Sequence, residues 1–126
     1  MTYVYLFLAS FMFGMVKQDV PYAAIEKGFS GNSAEVIVNL SKDKLLLTVA
    51  GKEGVYGHPQ AVLILKDFFA KHPCTGFSYT FKGKESGDNS YAIAVMQSKG
   101  GEFRVTIHFK KIGSDFRIES LVLEKQ

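Results

Sequence analysis

The chain has 126 residues, of which 47% are hydrophobic and 21% charged, a balance that predicts a folded globular domain and not a disordered chain. Its formal net charge of +3 is small and its lysines and arginines are dispersed, so the composition does not predict a nucleic-acid-binding surface. The single cysteine, Cys74, excludes an internal disulfide; we expect a small buried side chain there, and a catalytic thiol with a neighbouring base is the alternative.

Residues 1–16 contain no charged side chain, and the length of this run is typical of a signal-peptide core and too short for a membrane span. We therefore expect a signal peptide at residues 1–16, one domain at residues 17–126, and a mature protein that is periplasmic or secreted, without a membrane anchor. No basic residue precedes the run and no small-x-small cleavage site follows it. A cytoplasmic protein that starts at Met15 is therefore the alternative.

Three helices are predicted in the first half of the domain. The segment from Asp19 to Ser30 has Asp19 as its expected cap and Pro21 near its first turn. A short helix from Ser33 to about Leu40, capped by Asn32 or Ser33, follows it. The third helix opens at Gly57-His58-Pro59 and stops at His72-Pro73. The side chains expected to face the core are Tyr22, Ile25, Phe29, Val36, Ile37, Leu40, Ala61, Ile64, Leu65, Phe68 and Phe69.

Strands are predicted where the hydrophobic pattern changes to a period of two residues. A strand from Lys44 to Ala50 is followed by a turn at residues 51–54 and a brief return strand at Val55-Tyr56. Four more strands follow the third helix, at Phe77–Lys84, Ser90–Gln97, Glu102–Lys111 and Phe116–Glu124. Their short connections predict an antiparallel meander, and helices followed by a run of strands predict an α+β fold.

The alternation also predicts which side chains share a face of the sheet. The inner face, packed against the helices, is expected to carry Phe77, Tyr79, Phe81, Tyr91, Ile93, Val95, Phe103, Val105, Ile107, Phe109, Phe116, Ile118 and Val122. The outer face is expected to carry Ser78, Thr80, Lys82, Arg104, Thr106, His108, Lys110, Arg117 and Glu119. The assignment depends on strand register, because a slip of one residue exchanges the two faces.

Three segments carry a resemblance to known proteins: Gly51-Lys52-Glu53-Gly54-Val55-Tyr56, Leu65-Lys66-Asp67-Phe68-Phe69 and Gly101-Glu102-Phe103-Arg104-Val105. With the order of the elements, they resemble the nuclear transport factor 2-like superfamily, which includes ketosteroid isomerase and polyketide-cyclase-like domains. More narrowly, they are similar to a bacterial exported family, domain of unknown function 4783. The resemblance covers about Asp19 to Glu124 and implies a cystatin-like cone, helices on a strongly curved antiparallel sheet, with an apolar pocket and often a dimer. It implies no activity.

Two binding hypotheses follow from the predicted faces. The inner aromatic face would hold a small apolar ligand, or its aromatic side chains would simply fill the core. The residues expected in this pocket are Tyr79, Tyr91, Phe103, Phe69 and Gln97. The outer face would form a homodimer or bind another protein, or it would be solvated. The residues expected in this interface are Thr80, Arg104, Thr106, His108 and Arg117.

An isomerase- or cyclase-like enzyme is the third hypothesis, and it rests on fold analogy alone. Such chemistry needs a carboxylate base inside the pocket, whereas the predicted inner face has no Asp or Glu in its strand centres and Asp67 lies off the helix's apolar stripe. His58, His72 and His108 lack the spacing of metal ligands. The sequence therefore predicts no catalytic residue, no metal site and no cofactor.

Overall fold

The computed structural model describes residues 19–85 and 87–126, so the expected signal peptide at residues 1–16 lies outside the described part of the chain. The described elements, in chain order, are α1 (Tyr22–Ser30), α2 (Ala34–Asn39), β1 (Ser41–Val49), β2 (Lys52–Gly57), α3 (His58–Lys71), β3 (Cys74–Lys82), β4 (Asn89–Ser98), β5 (Gly101–Ile112) and β6 (Asp115–Lys125). No helix among them is long and apolar enough to cross a membrane.

The helices form where the sequence predicts them, with small differences at their ends. Helix α1 starts after Pro21 and has no side-chain cap, so Asp19 does not cap it. Helix α2 is capped as expected, since the Ser33 Oγ accepts a hydrogen bond from the Val36 N–H over 3.3 Å. Its buried face differs, because Ile37 and Val38 are buried while Val36 is exposed.

The six described strands form one sheet in the order β2-β1-β6-β5-β4-β3. The predicted meander is confirmed, since β3, β4, β5 and β6 pair antiparallel in succession. Strand β1 joins the meander by pairing parallel to β6, and β2 folds back on β1 through the two residues Ala50 and Gly51. Both have positive φ angles, 53° and 80°, as a tight hairpin turn requires, so β2 begins at Lys52 and not at Val55.

The helices pack on one face of this curved sheet, which gives the predicted α+β architecture. Helix α1 contacts β3, α2 contacts α1 and α3, and α3 crosses β1 and β2. The buried strand rows under the helices include Leu45 and Leu47 of β1, Val105 and Ile107 of β5, and Leu121 of β6. The opposite face of the sheet is covered by no element of residues 19–85 and 87–126.

Strand β4 faces the other way from the prediction. Ala92, Ala94 and Met96 are fully buried, whereas Tyr91 is 41% exposed. Tyr91, Ile93 and Val95 pair with His108, Thr106 and Arg104 on the outer face. Both rows of β4 are apolar, so alternation cannot choose between them. Large aromatic side chains from β3 and α1 occupy the inner side, and that leaves room for alanine beside them.

Two irregularities in the pairing account for the remaining differences. A shift of register between Tyr79 and Phe81 turns Phe81 to the outer face, where it is 44% exposed. A second shift, beyond Ile118 on β6, moves the inner row to Leu121 and Leu123 and leaves Val122 on the outer face. Such bulges add one residue to a strand and reverse the alternation after it, and nothing in a hydrophobic pattern predicts their position.

Candidate functional site

Aromatic side chains fill the space between the helices and the sheet. Phe29 of α1 is fully buried and stacks on Phe77 of β3, with ring centroids 4.6 Å apart and planes inclined by 14°. Tyr22 meets Tyr79 and Phe109 edge to face, and the Tyr79 hydroxyl donates a 2.8 Å hydrogen bond to the Tyr22 carbonyl. Tyr79 thus packs in the core, which is the alternative to a ligand pocket that the sequence left open.

The five residues of the predicted ligand pocket are not brought together. Phe69 and Tyr79 belong to the packed core, and Phe103 is 5% exposed at its margin. Tyr91 and Gln97 were expected to face inward and do not: Tyr91 lies on the outer face, and Gln97 is exposed and donates a hydrogen bond to the Glu102 carboxylate. The reversed phase of β4 explains both corrections.

A cleft of about 280 Å³ remains at the margin of the core, between the second half of α3 and the β1–β2 hairpin. Its apolar floor is formed by Leu47, Val49, Ile64, Phe68 and Phe103. Its polar rim is formed by Lys52, Tyr56, Asp67, Lys71 and His72. The helical residues of this set recur at intervals of three and four, so one stripe of α3 supplies four of the eleven lining residues.

The His72 ring is held against the floor of the cleft by aromatic contacts. Its centroid lies 5.4 Å from that of Phe68 and 4.9 Å from that of Phe103. Asp67 and Lys71 form an ion pair one helical turn apart, with 3.1 Å between Lys71 Nζ and Asp67 Oδ2 and both side chains mostly exposed. The carboxylate nearest the cleft is therefore paired and solvated at the rim, which differs from the base inside the cone that an isomerase-like reaction requires.

Gly54 sets the position of Tyr56 in the cleft. The two residues are neighbours on one face of β2, and a Cβ on Gly54 would overlap the Tyr56 phenol. Since glycine inside a strand often marks such a close approach, the Gly-Val-Tyr order was the signal in the sequence that points to this site. The predicted turn at residues 51–54 included Gly54, and a glycine in a turn gives no indication of a cleft, so this site was not predicted.

A serine and a histidine lie within hydrogen-bonding distance at the start of β1. The Ser41 Oγ is 3.2 Å from the His58 Nε2, and the same nitrogen is 2.8 Å from the Lys42 carbonyl oxygen. A carbonyl only accepts hydrogen bonds, so Nε2 must carry a proton and cannot accept one from Ser41. The Ser41 hydroxyl donates to the Val38 carbonyl over 2.7 Å, which makes this pair a structural contact and not a nucleophile with its base.

The outer face of the sheet carries a row of three stacked rings. Tyr91 stands between Phe81 and His108, with centroid distances of 5.1 Å and 5.7 Å. The planes of Tyr91 and His108 are inclined by only 20°. The three rings therefore form a continuous row across the neighbouring strands β3, β4 and β5.

This row belongs to an apolar band that crosses the middle of the outer face. The apolar band consists of Val55, Leu46, Val122, Thr106, Ile93, Val95, Tyr91 and Phe81, and it includes a residue from each of the six strands. Val55 is 64% exposed, the largest exposure in the set. An exposed apolar region of this extent on a folded domain is typical of an interaction surface.

Opposite charges lie beyond the two sides of the apolar band. The acidic end, beside the β1–β2 and β4–β5 turns, carries Glu53, Glu102 and Glu124. The basic end, at the other ends of the strands, carries Lys44, Lys110 and Arg117. Neither end carries charges of one sign only. At the acidic end Arg104 pairs across strands with Glu124, and at the basic end Glu119 forms a 3.2 Å ion pair with Lys42 and Asp115 lies on the outer face opposite Ile112.

The predicted interface residues fall on this outer face with one partial exception. Arg104, Thr106 and His108 are successive outer positions of β5, and Arg117 lies at the basic end, where it donates a 2.8 Å hydrogen bond to the Asn39 carbonyl. Thr80 sits in the bulge of β3, and its hydroxyl donates to the Ile93 carbonyl over 3.2 Å. The Thr80 hydroxyl therefore binds the backbone of the sheet itself, at the edge of the outer face.

The titratable groups inside the core are held in their neutral forms. Burial, with smaller contributions from Glu26 and Tyr22, raises the pKa of the Tyr79 phenol well above its ordinary value. Burial also raises the pKa of the Cys74 thiol, and a backbone hydrogen bond of Gly76 offsets part of that shift. A buried neutral thiol is a poor nucleophile. Across residues 19–85 and 87–126, no three His, Cys, Asp or Glu side chains converge as metal ligands do.

Comparison with known proteins agrees with this architecture. A family model described as "Domain of unknown function (DUF4783)" matches residues 22–124. A crystal structure of a DUF4783 family protein from Bacteroides ovatus has a TM-score of 0.80 and 25% identity, covering 86% of this chain and 97% of that one.

More distant structures share the fold. An NTF-2-like protein of unknown function from Silicibacter pomeroyi matches with a TM-score of 0.60 and 9% identity, over 83% of this chain and 89% of the other. A cystatin-like domain of unknown function from Nostoc punctiforme has a TM-score of 0.62 and 10% identity, over 83% and 72% of the two chains. No functionally curated protein matches the chain.

Proposed function

Because this chain belongs to the DUF4783 family, a domain of unknown function, we propose its role from its own surface: a protein-interaction module whose outer sheet face binds a second copy of the chain. The observation that carries the proposal is the polarity of that face. The apolar band lies between an acidic end and a basic end, so the face is complementary to itself.

The apolar band favours an occupant of protein size. Six strands about 4.8 Å apart and five side-chain rows about 6.7 Å apart span roughly 24 by 27 Å, an area of roughly 650 Å². This is about the area that each partner contributes to a stable protein–protein interface. Aromatic rings and β-branched side chains dominate the apolar band, and such side chains pack well against another sheet.

The charges favour one orientation of the two copies. A two-fold axis that runs across the strands reverses the strand direction and sets the basic end of one copy over the acidic end of the other. Lys110 and Arg117 then approach the partner's acidic end, while a two-fold axis along the strands would bring like charges together. Contacts between like charges destabilise an arrangement by roughly several kcal/mol. The charges therefore favour the antiparallel arrangement.

The test is a charge exchange measured by sedimentation velocity over a range of protein concentrations. We expect the unmodified domain to dimerise and Lys110→Glu to weaken the dimer at least about tenfold. The double variant Lys110→Glu with Glu102→Lys exchanges the charges at both ends and should restore dimerisation, because each changed end again meets its opposite. Such recovery separates a charge contact from damage to the fold.

Two single variants complete the experiment. Tyr91→Glu places a charge in the apolar band and should give a monomer. Leu63→Glu is the matched control, since Leu63 is 67% exposed on α3 and lies away from the sheet face. A domain that remains monomeric at every concentration, or a dimer that Tyr91→Glu and Leu63→Glu affect equally, would refute the proposal.

We further propose that the domain works outside the cytoplasm. The support is the uncharged apolar run at residues 1–16, and the relatives of known structure come from bacteria. Expression of the full chain with a C-terminal tag should place a shortened product in the periplasm or the medium. A tagged product of full length, or one that begins at Met15, recovered from the cytosol would contradict export.

A further inference from the structure

We propose that the cleft between α3 and the β1–β2 hairpin binds a small carboxylic acid with an apolar body. The cleft lies on the inner side of the sheet, so this site is separate from the proposed dimer surface. The composition of its floor, the charges at its mouth and its size favour such a ligand.

The floor of the cleft is suited to an apolar body. Leu47, Phe68 and Phe103 are almost fully buried beneath it, and Val49 and Ile64 remain partly exposed to it. A cavity of about 150 Å³ lined by such side chains is enough to hold benzene, and this cleft, at about 280 Å³, is close to twice that volume. A two-ring aromatic or an equally short aliphatic chain therefore fits.

The mouth of the cleft is cationic because strand alternation sorts the charges at this end of the sheet. Lys52 pairs with Val49 across the hairpin and therefore lies on the inner face. Lys125 pairs with Phe103 and lies on the same face. The acidic residues of the same strand ends, the acidic end defined above, all point to the outer face. Asp67 is the inner acidic group, and Lys71 neutralises it.

Several donors at the mouth are available to a ligand. The Lys52 ammonium, the Tyr56 hydroxyl and the His72 ring make no hydrogen bond to another group within the part of the chain that the structure describes. An apolar floor with a few convergent polar groups at one end is the usual composition of a small-molecule site. Donors and ammonium groups prefer an anionic acceptor, so a carboxylate is the polar group that this rim fits best.

The experiment compares two probes that differ only in charge, 2-naphthoate and 2-naphthamide, by amide chemical-shift titration of the full domain. We expect both probes to shift the amides of the cleft residues and the acid to bind about fivefold tighter, the upper range for one exposed charge contact. Lys52→Gln should remove that difference by weakening the acid alone. Lys84→Gln replaces an exposed lysine outside the cleft and should leave the difference in affinity between acid and amide unchanged.

A second pair of variants tests the place of binding. Ile64→Trp fills the cleft and should abolish the shifts from both probes, whereas Leu63→Trp, its exposed neighbour on α3, should not. Equal affinity for acid and amide would overturn the choice of a carboxylate. Absence of shifts at millimolar probe, or shifts that survive Ile64→Trp in a folded variant, would overturn the site itself.

Discussion

Replacing Gly28 with alanine tests how tightly α1 packs on α2. Gly28 is buried on the side of α1 that faces α2, and a Cβ added there would lie 2.8 Å from the Ile37 Cγ1 and 3.2 Å from the Val36 Cγ1. Real Cβ atoms do not approach carbon this closely, so one helix must shift. Ile37 is fully buried in the core, which leaves it no free space to retreat into.

Two opposing effects decide the sign of this change. Alanine in a helix interior stabilises by about 0.8–1.0 kcal/mol relative to glycine. Forcing an extra carbon into a packed core costs about 1–3 kcal/mol. Because the obstructing atom belongs to a buried side chain, we expect the cost to exceed the gain and Gly28→Ala to destabilise the domain by about 1 kcal/mol.

Equilibrium unfolding in urea measures this directly. A loss of about 1 kcal/mol lowers the midpoint by roughly 0.5 M for a small domain. In an Ile37→Ala background the 2.8 Å contact is gone, and the remaining close side chain, Val36, is exposed and free to move aside. Gly28→Ala should then stabilise by up to about 1 kcal/mol from helix propensity. If Gly28→Ala raised the midpoint of the otherwise unmodified domain, the packing argument would be refuted.

Two further predictions concern the core and a helix end. Ser33→Ala should lower the free energy of unfolding by about 0.5 kcal/mol, which is the low end for a helix cap, because the 3.3 Å hydrogen bond that Ser33 accepts is exposed. Thermal unfolding measures this loss, and the control variant Ser33→Asp should retain the stability. The pKa of Tyr79 is raised in the folded state, whereas in the unfolded chain this phenol releases its proton at about pH 10. Its contribution to the free energy of unfolding is therefore complete below about pH 10 and decreases as the pH rises above it. Urea unfolding from about pH 9 to pH 11 should therefore show a smaller decline in Tyr79→Phe than in the unmodified domain, and equal declines would contradict the assignment.

The fold was largely predictable because its elements have clear local signals. Pro59 and His72-Pro73 bound α3, Ser33 caps α2, and β5 alternates between polar and buried side chains over its whole length. The parallel pairing of β1 with β6 had no such signal. It joins residues that are more than seventy positions apart, and hydrophobic pattern carries no information about which distant strands become neighbours.

The candidate sites were less predictable, since they depend on register and on the volume of neighbouring side chains. Tyr91 and Ala92 are both apolar, and only the bulk of the aromatic core decides that alanine lies inside. The outer face of β5 was predictable because polar Arg104 and His108 alternate with buried Val105 and Ile107. The cleft depends on Gly54 leaving space for Tyr56, a contact between side-chain and backbone shapes that periodicity does not describe.

The parallel pairing of β1 with β6 also affects the order in which this chain can fold. Strand β1 lies between β2 and β6, so the β1–β2 hairpin pairs with the other strands of the described sheet only through residues 115–125. During synthesis, α1, α2, β1, β2 and α3 emerge long before that strand exists. Pairings of such large sequence separation are slow to form. The ribosome therefore releases nearly the whole domain before its sheet can be completed, and the exposed edge of β1 must be protected from other chains during that interval.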